Sequence, residues 1–522
     1  MQGRHGVAGR LRRWEWRCTT RWASFSGNMA ITRRRLWALP PLVILLGAAV
    51  LAAHATRPQG EQFDLVLVGG RVLDPETALD GRRNVGIRGG RIAALTAQPL
   101  AARETLDVSG LVVAPGFIDL HAHGQDSESY RYYAHDGVTT ALELEIGTYP
   151  VAPWYAERAG RALINYGVSA GHVGARRALI AHDASLPGVA VIARDTSRSW
   201  THRALPDADL PRLDSLVERG LADGALGVGL GIAYTPGATR EEILRVFRVA
   251  ARHGVPCFVH LRQGGRDPVT GGGVAALQEV IADAAATGAP LHVVHVTSMG
   301  QRDTPLLLQL IRGARERGLD VTTEAYPYTA GSTALQSAVF DPGWQQRMGI
   351  TYHDILYPPT GERLTRASFA RLRRQGATVV IFQIPDSTVR QTLADSLVMV
   401  ASDGISPHGH PRLAGTHARV LGRYARDSGA LSLPDAVRKM TLLPAQRLER
   451  VVPAMRAKGR IQVGADADLT VFDPGRVIDR ATYERPAQFS DGIVDVLVNG
   501  VLVVRNGASV AVYPGRPIRR GP

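Results

Sequence analysis

Short apolar runs alternate with helical stretches over about 330 residues, from Ile118 to about Leu448. Strands that alternate with helices form parallel βα units, and a closed (β/α)8 barrel is the expected arrangement for a region of this length. The sequence therefore predicts an α/β fold in which residues 116–448 form a TIM-like barrel. The runs that predict its strands include GVTTALELEI, GALGVGLGIAY, VPCFVHLR, APLHVVHVTSMG, LDVTTEAYPY and SLVMVASDG.

The segments on either side of this region have shorter apolar runs that are interrupted by glycine. Residues 63–115 contain FDLVLVGGRVLD and NVGIRGGRIAAL, and residues 449–515 contain GADADLTVFD and IVDVLVNGVLVVRNG. Such runs are typical of antiparallel sheet, so the two chain ends are predicted to form one small β-sandwich domain. Residues 329–394 are too many for a simple loop and are predicted to form an inserted subdomain or lid.

Residues 1–55 are interpreted as a targeting region rather than as part of the fold. Three arginines at 33–35 precede an uncharged apolar stretch, 36–53, which leads into the small-x-small pattern AHA. Met29 stands where a signal peptide would begin, so residues 1–28 are interpreted as an upstream mis-start or an unusual extension. The pattern favours a cleaved signal peptide and export to the periplasm or the medium. The alternative is an uncleaved membrane anchor through 36–53.

The net charge of +14 suggests nucleic-acid binding at first, but most of the charge lies outside the predicted fold. Residues 1–55 hold nine arginines and one glutamate, which leaves +6 for the remainder. That remainder has no basic run interleaved with aromatic residues, so a nucleic-acid role is rejected. Cys18 and Cys257 are the only cysteines, and Cys18 would be lost on cleavage. A disulfide framework is therefore excluded in the mature chain.

Histidines and carboxylates stand where several predicted barrel strands end. His121 and His123 close the run VVAPGFIDLHAH, and alternate strand residues point to the same side. In a parallel barrel, functional groups lie at the carboxyl ends of the strands. Four histidines and two carboxylates are a sufficient set for one or two zinc ions and a proton-shuttling base. The complete candidate set is His121, His123, Glu143 or Glu145, His260, His295 and Asp403.

These motifs resemble the amidohydrolase superfamily, and most closely its N-acyl-D-amino-acid deacylase (D-aminoacylase) branch. The likeness covers about residues 63–515, and the block VASDGISPHGHPRLAGTHARVLGRY is specific to that branch. It implies a (β/α)8 metallo-barrel with a small β-sandwich formed by both chain ends. The roles that it implies are one metal on His121 and His123, another on His260 and His295, and a metal-associated acid/base at Asp403.

The bridging ligand is where this chain departs from the family pattern. Many members of the superfamily use a carboxylated lysine, but Lys439 and Lys458 lie in no predicted barrel strand. The D-aminoacylase branch has a cysteine in a Gly-Asn-Cys motif, and the corresponding stretch here, ALELEIG, has none. Glu143 and Glu145 share a face, and Glu145 is nearer the strand end, so we predict that Glu145 bridges two metals. The alternatives are Glu143 as the bridge, or a one-zinc site in which Glu145 only supports a ligand.

The resemblance also implies residues that contact substrate. Arg412 matches the carboxylate-binding arginine of the family, and its planar fork suits bidentate pairing. Its loop is two residues shorter than the usual pattern of the branch. Tyr326, Ser332 and Tyr234 match further substrate-contacting positions.

We therefore expect a metal-dependent amidohydrolase that cleaves C–N amide bonds by attack of a metal-bound hydroxide, with Asp403 moving the proton. The first choice is an N-acyl-D-amino-acid deacylase. The alternatives are an amidohydrolase of other specificity, such as a dipeptidase or cyclic amidase, and a non-catalytic binding protein on the same fold. The sequence leaves open the exact substrate, its enantiomer, the native metal and the oligomeric state.

Overall fold

The computed structural model describes residues 62–521, so the predicted targeting region of 1–55 lies outside the described residues. No helix within 62–521 is both long enough and apolar enough to cross a membrane. The strands are β1 Phe63–Asp74, β2 Leu79–Arg88, β3 Arg91–Thr96, β4 Ala102–Asp107, β5 Val112–Pro115, β6 Phe117–Asp119, β7 Val138–Thr148, β8 Asn165–Gly171, β9 Val228–Gly231, β10 Cys257–His260, β11 Leu291–Val293, β12 Val321–Ala325, β13 Ala330–Ala334, β14 Ile355–Tyr357, β15 Glu362–Arg363, β16 Thr378–Phe382, β17 Val398–Val400, β18 Leu469–Phe472, β19 Ile493–Val498, β20 Val501–Arg505 and β21 Ala508–Ser509.

Helices connect these strands and cover the barrel. The α-helices of the described residues are α1 Ser127–His135, α2 Val151–Arg158, α3 His172–Ile180, α4 Ala190–Arg194, α5 Arg198–Thr201, α6 Leu210–Ala222, α7 Arg240–Arg252, α8 Gly272–Thr287, α9 Val296–Gly300, α10 Thr304–Glu316, α11 Trp344–Met348, α12 Arg366–Gln375, α13 Asp386–Ala394, α14 Arg412–Arg419, α15 Leu433–Met440 and α16 Leu442–Leu448. Shorter 3-10 turns occupy Asp207–Asp209, Ile232–Tyr234, Gln301–Asp303, Ala338–Phe340, Tyr352–Asp354 and Pro453–Ala457, and Val420–Asp427 is π-helical.

Eight parallel strands form the barrel, in the order β6-β7-β8-β9-β10-β11-β12-β17. Its first and last strands meet just beyond their carboxyl ends, where Ala122 and Gly404 form a parallel bridge. There the backbone amides of His123 and Gly124 donate hydrogen bonds to the Gly404 carbonyl, at 2.8 and 2.9 Å. The predicted TIM-like barrel is confirmed, and its closure lies at the end where the candidate site residues stand.

Helix α7 shows how the sequence builds the outer layer of the barrel. Thr239 caps the helix, because its side chain accepts a hydrogen bond from the backbone N–H of Glu242. Ile243, Val246 and Phe247 are buried at the spacing that places them on one helix face. This apolar face belongs to the same hydrophobic cluster as strand residues such as Val228 and Val259. Strand β7 is buried along its whole length.

The two ends of the chain share one nine-stranded sheet, in the order β21-β20-β19-β18-β5-β1-β2-β3 with β4 paired to β1. Strand β5 joins the halves, since it pairs in parallel with β1 and antiparallel with β18. Val72 and Val85 from the first half pack with Ile461 and Leu497 from the second in one apolar core. The sheet therefore needs both chain ends to form.

The insertion carries its own four-stranded antiparallel sheet, in the order β13-β16-β14-β15. Trp344 and Phe369 stack in its separate core, with ring centroids 5.3 Å apart. Helix α13, which the sequence analysis places in the insertion, packs against the barrel strands β12 and β17. The sheet of the insertion thus ends at Phe382, and α13 belongs to the outer layer of the barrel.

A buried ion pair holds the shared sheet against the barrel. The Lys458 ammonium lies 2.5 Å from an Asp468 carboxylate oxygen and 3.0 Å from one of Asp466. Asp468 also accepts hydrogen bonds from Asn165, the first residue of β8, and from the backbone N–H of Asn499. Burial alone would lower the pKa of Lys458, but Asp468 and Asp466 raise it above its ordinary value. The lysine therefore stays charged and paired.

Replacing Lys458 by Met should lower the free energy of unfolding by about 3 kcal/mol, because Asp468 then stays buried without its cation. Urea denaturation followed by far-UV circular dichroism measures this. The matched control is Arg91→Met, which removes an arginine from an exposed pair with Asp466 and should cost roughly 1 kcal/mol or less. Equal losses in the two variants would contradict a special role for the buried pair.

Candidate metal centre

The predicted ligands converge at the carboxyl ends of the barrel strands. His121 and His123 follow β6, His260 ends β10, His295 follows β11 and Asp403 follows β17. The Nε2 atoms of His121 and His123 lie 3.0 Å apart. Asp403 Oδ1 lies 3.5 Å from the first of these atoms and 3.4 Å from the second. Strands far apart in sequence thus deliver their end residues to one point, as the barrel topology requires.

Glu145 lies in the middle of this cluster. Its Oε2 atom is 3.3 Å from His121 Nε2 and 3.1 Å from His123 Nε2. Its Oε1 atom is 2.6 Å from His260 Nδ1 and 3.0 Å from His295 Nε2. The two carboxylate oxygens are therefore divided between the two histidine pairs, which is the arrangement that a bridging ligand needs.

The donor set fits divalent metal ions. Imidazole nitrogens and carboxylate oxygens are preferred ligands of zinc, and here they are buried and face one another. In each of three overlapping groups the donor atoms all lie within 4.8 Å of one another. These groups are His121, His123 and Glu145; His121, His295 and Asp403; and Glu145, His260 and His295.

Two further carboxylates orient the first histidine pair. Glu143 Oε2 lies 2.7 Å from His123 Nδ1, and Glu324 Oε1 lies 2.6 Å from His121 Nδ1. A carboxylate on Nδ1 fixes the tautomer that leaves Nε2 free to bind a metal. The geometry thus gives Glu143 a supporting position and leaves Glu145 as the one between the two pairs.

Sequence reasoning missed Glu324, which also lies 3.3 Å from His292 Nε2. The sequence does contain a signal for Glu324, because this residue is the penultimate one of β12 and lies at a strand end like the histidines. Of the stretch EAYPY, only Tyr326 is among the site residues predicted from the sequence.

The buried charges of the cluster influence one another strongly. Burial alone would lower the pKa of His121, but Asp403, Glu145 and Glu324 together raise it to about 10. Burial would raise the pKa of Glu145, yet His121 and His260 hold it well below its ordinary value. Asp403 likewise has a lowered pKa, against the effect of burial and chiefly because of Arg412. Glu145 and Asp403 are therefore ionised, as carboxylates that bind a metal must be.

Backbone strain marks two of these residues. His295 and Asp403 have φ values of 32° and 53°, in the left-handed region that non-glycine residues rarely occupy. Such conformations cost on the order of 1–3 kcal/mol and cluster at functional sites. The surrounding packing therefore holds both side chains in positions that the relaxed backbone would not choose.

A cavity of about 390 Å³ opens onto the ligands. Arg412 is 1% exposed and pairs with Asp403, with contacts of 2.8 Å from Nη1 to Oδ2 and 2.9 Å from Nη2 to Oδ1. Its guanidinium lies 5.0 Å from the ring centroid of Tyr326. The structure thus places Arg412 next to the predicted acid/base. The predicted residues that line this cavity are His123, Glu145, Tyr234, His260, His295, Tyr326, Ser332, Asp403 and Arg412.

Comparisons with known proteins show which family and which structures the chain resembles. Residues 104–504 match the amidohydrolase family. The chain is 35% identical to the D-aminoacylase of Alcaligenes xylosoxydans xylosoxydans, over 89% of this chain and 99% of that one. It is 35% identical to the N-acyl-D-glutamate deacylase of the same organism, over 88% and 97%. It also resembles the crystal structure of N-acyl-D-glutamate deacylase from Bordetella bronchiseptica complexed with zinc and a phosphonate inhibitor, with a TM-score of 0.73 and 30% identity over 88% of this chain and 100% of that chain.

Replacing Glu145 by Ala should lower the bound metal to one ion or fewer per chain, because both histidine pairs lose the oxygen they share. Inductively coupled plasma mass spectrometry on dialysed protein measures this. The matched variant Glu143→Ala removes only a support of His123 and should weaken metal affinity by about 10–100-fold without removing a ligand. Two tightly held ions in Glu145→Ala would contradict the bridge.

Proposed function

The chain belongs to the amidohydrolase family, and from this premise we propose that it hydrolyses the amide bond of N-acyl-D-amino acids. It is a hydrolase that acts on C–N bonds other than peptide bonds. One observation carries the substrate proposal: a buried arginine, Arg412, lines the same cavity as the metal-ligand cluster. An amide that carries a carboxylate fits this cavity. The guanidinium pairs with the carboxylate, and the metal-ligand cluster acts on the scissile bond.

We propose zinc as the metal, held by His121, His123, His260 and His295 with Glu145 between them. The zinc in the Bordetella bronchiseptica structure and the donor chemistry of this chain both support the assignment. When bound, such an ion polarises the scissile carbonyl and lowers the pKa of a water molecule. The barrel contributes the fixed, buried positions of the ligands.

Asp403 is the proton carrier in this mechanism. Its carboxylate reaches into the cavity beside the ligand nitrogens of His121 and His123. Arg412 fixes its orientation through two contacts and keeps it ionised. An ionised carboxylate at this point accepts a proton from the attacking water and delivers it to the leaving amine.

Arg412 also binds the carboxylate of the substrate. Its Nε atom is buried and has no hydrogen-bond partner among the described residues, so the guanidinium keeps a donor for an incoming acceptor. Tyr326 and Ser332 line the same cavity, and both lie close to the Arg412 guanidinium. The arginine thus couples substrate binding to the position of Asp403.

We further propose that the protein is exported. The support is in the sequence alone: three arginines at 33–35, the apolar stretch 36–53 and the AHA pattern that follows it. Retention of that stretch as a membrane anchor is the alternative.

The zinc-loaded protein should hydrolyse N-acetyl-D-leucine and leave N-acetyl-L-leucine largely intact. Asp403→Asn should keep the fold and bound zinc but lower kcat by about 10²–10⁴-fold, because the proton carrier is lost. Amine release and metal content are measured on the same preparations. Turnover of dipeptides or cyclic amides alone would favour another amidohydrolase specificity, and no turnover of any amide by zinc-loaded protein would favour a binding role. Undiminished turnover by Asp403→Asn would contradict the role of Asp403.

Arg412→Ala should raise KM for N-acetyl-D-leucine by roughly 10–100-fold, because charge-assisted hydrogen bonds to the carboxylate are lost. It should also lower kcat, because Asp403 loses the group that positions it. N-acetyl-D-leucinamide, which lacks the carboxylate, is the matched substrate and should show the fall in kcat without the rise in KM. Equal changes in KM for the two substrates would exclude carboxylate recognition by Arg412.

A further inference from the structure

Arg412 lines two cavities, so its side chain has open space beside it. It lines the main cavity next to the metal-ligand cluster, and it also lines a neighbouring cavity of about 380 Å³. Ser332 and Ile405 are likewise shared by the two cavities. A long side chain beside free volume has several rotamers to choose from, so specific contacts have to hold it. The contacts that hold Arg412 therefore matter for the role that it has in the proposed function.

Arg412 is the first residue of helix α14, where the backbone lacks an ordinary cap. The residue before it, Pro411, makes no side-chain capping hydrogen bond. Backbone N–H groups in the first turn of a helix have no partner within the helix. His410 supplies a partner for one of them, because its Nδ1 accepts a hydrogen bond from the backbone N–H of Arg412 at 3.1 Å. His410 thus fixes the backbone from which the guanidinium extends.

The other ring nitrogen of His410 contacts the insertion. Nε2 lies 3.0 Å from the backbone carbonyl oxygen of Ala330, the first residue of β13. A carbonyl only accepts and a backbone N–H only donates, so the ring hydrogen must be on Nε2 and Nδ1 must be bare. Burial and the nearby Arg412 charge also hold the pKa of His410 well below its ordinary value, so the ring is neutral. The Ala330 carbonyl therefore selects the tautomer that the backbone of Arg412 requires.

The same edge of the insertion sheet contacts Arg412 directly. Strand β13 is an edge strand, and its other side pairs with β16. Ala330 and Ser332 are alternate residues, so their carbonyls face the same edge. The Ser332 carbonyl accepts a hydrogen bond from Arg412 Nη2 at 3.4 Å. His410 and Arg412 thus dock side by side along this edge of β13.

Two tyrosines hold the His410 ring in place. Its centroid lies 5.3 Å from that of Tyr328 and 5.1 Å from that of Tyr483, with interplanar angles of 84° and 90°. These are edge-to-face contacts, the arrangement that aromatic rings favour. Tyr328 precedes β13, whereas Tyr483 lies between β18 and β19. The ring is 3% exposed, so two distant parts of the chain fix its orientation.

We propose that His410 is a positioning residue, which fixes the start of α14 through Nδ1 and so directs the Arg412 guanidinium toward Asp403 and the substrate carboxylate. The contact with Ala330 makes this alignment depend on the docked insertion. His410 does not itself line the main cavity, so it acts through Arg412. The inference rests on the proposed function, in which Arg412 binds that carboxylate.

Steady-state kinetics of the zinc-loaded enzyme test this with two substrates. His410→Ala should raise KM for N-acetyl-D-leucine by about tenfold, the effect of one charge-assisted hydrogen bond that is no longer aligned. KM for N-acetyl-D-leucinamide, which has no carboxylate, should stay close to that of the wild type. kcat should fall for both substrates, because Arg412 also orients Asp403. A rise in KM that is equal for the two substrates would indicate a merely structural role and overturn the inference.

A double-mutant cycle shows whether His410 acts through Arg412. In the Arg412→Ala background, His410→Ala should change KM for N-acetyl-D-leucine by less than about twofold, because no guanidinium remains to be positioned. A further rise of about tenfold in that background would show an independent effect and would exclude the proposed relay.

Two amide variants separate the contacts of the ring. His410→Asn carries an oxygen that can accept from the N–H two residues further on, as in an Asx turn, and should recover most of the KM of the wild type. His410→Gln carries its amide further out, toward Ala330, and should recover little. Recovery by Gln without recovery by Asn would contradict the contact with the Arg412 backbone.

His135→Ala is the matched control. His135 is also 3% exposed, and its Nε2 lies 2.7 Å from Ser509 Oγ in the shared sheet. Its loss should lower Tm, measured by circular dichroism, and leave both KM values unchanged. Unchanged KM values in folded, zinc-containing His410→Ala would overturn the inference and leave the proposed function intact. No hydrolysis of N-acetyl-D-leucine by the zinc-loaded wild type would contradict the proposed function, and the inference with it.

Discussion

The contacts of the buried Glu145 carboxylate with two histidine pairs are the interaction on which the rest of the site depends. A charge this deeply buried is costly unless partners surround it, and here four imidazoles from three barrel strands do so. Those strands are distant in sequence, so the cluster exists only when the barrel is closed. The bridge between Ala122 and Gly404 closes it at the end where the cluster lies. The cluster therefore cannot assemble unless the barrel closes.

The charges around that centre are arranged in successive pairs. Glu324 and Glu143 hold the outer nitrogens of His121 and His123, and Arg412 holds Asp403. The two glutamates orient the imidazoles so that their Nε2 atoms lie beside Glu145. Arg412 balances the negative charge of Asp403. Under the proposed function Arg412 serves two purposes, because it positions Asp403 and also recognises the carboxylate of the substrate. A change at this position affects binding and chemistry together.

Sequence reasoning located the clustered histidines and carboxylates because strand alternation and barrel topology together dictate where strand-end residues meet. The choice of Glu145 over Glu143 follows the same logic, since only the residue nearer the strand end reaches both histidine pairs. Glu324 obeys the rule but was passed over, because a carboxylate that supports a histidine has the same local pattern as one that binds metal. The contact of His410 with Ala330 could not be inferred at all. It depends on how the insertion docks on the barrel, and that is decided by tertiary packing rather than by local periodicity.

The insertion has a hydrophobic core of its own, separate from the core of the barrel. Trp344 and Phe369 stack away from the barrel strands, so the insertion is stabilised largely by its own packing. Substitutions at Gln383, which lines the cavity at the end of the insertion sheet, therefore alter the cavity wall without disturbing the strands that carry the ligands. In a parallel barrel the connections after the strands vary while the strands persist, and function resides in the site rather than in the fold. The ligand cluster stands on the barrel strands, and the insertion contributes part of the cavity wall beside it.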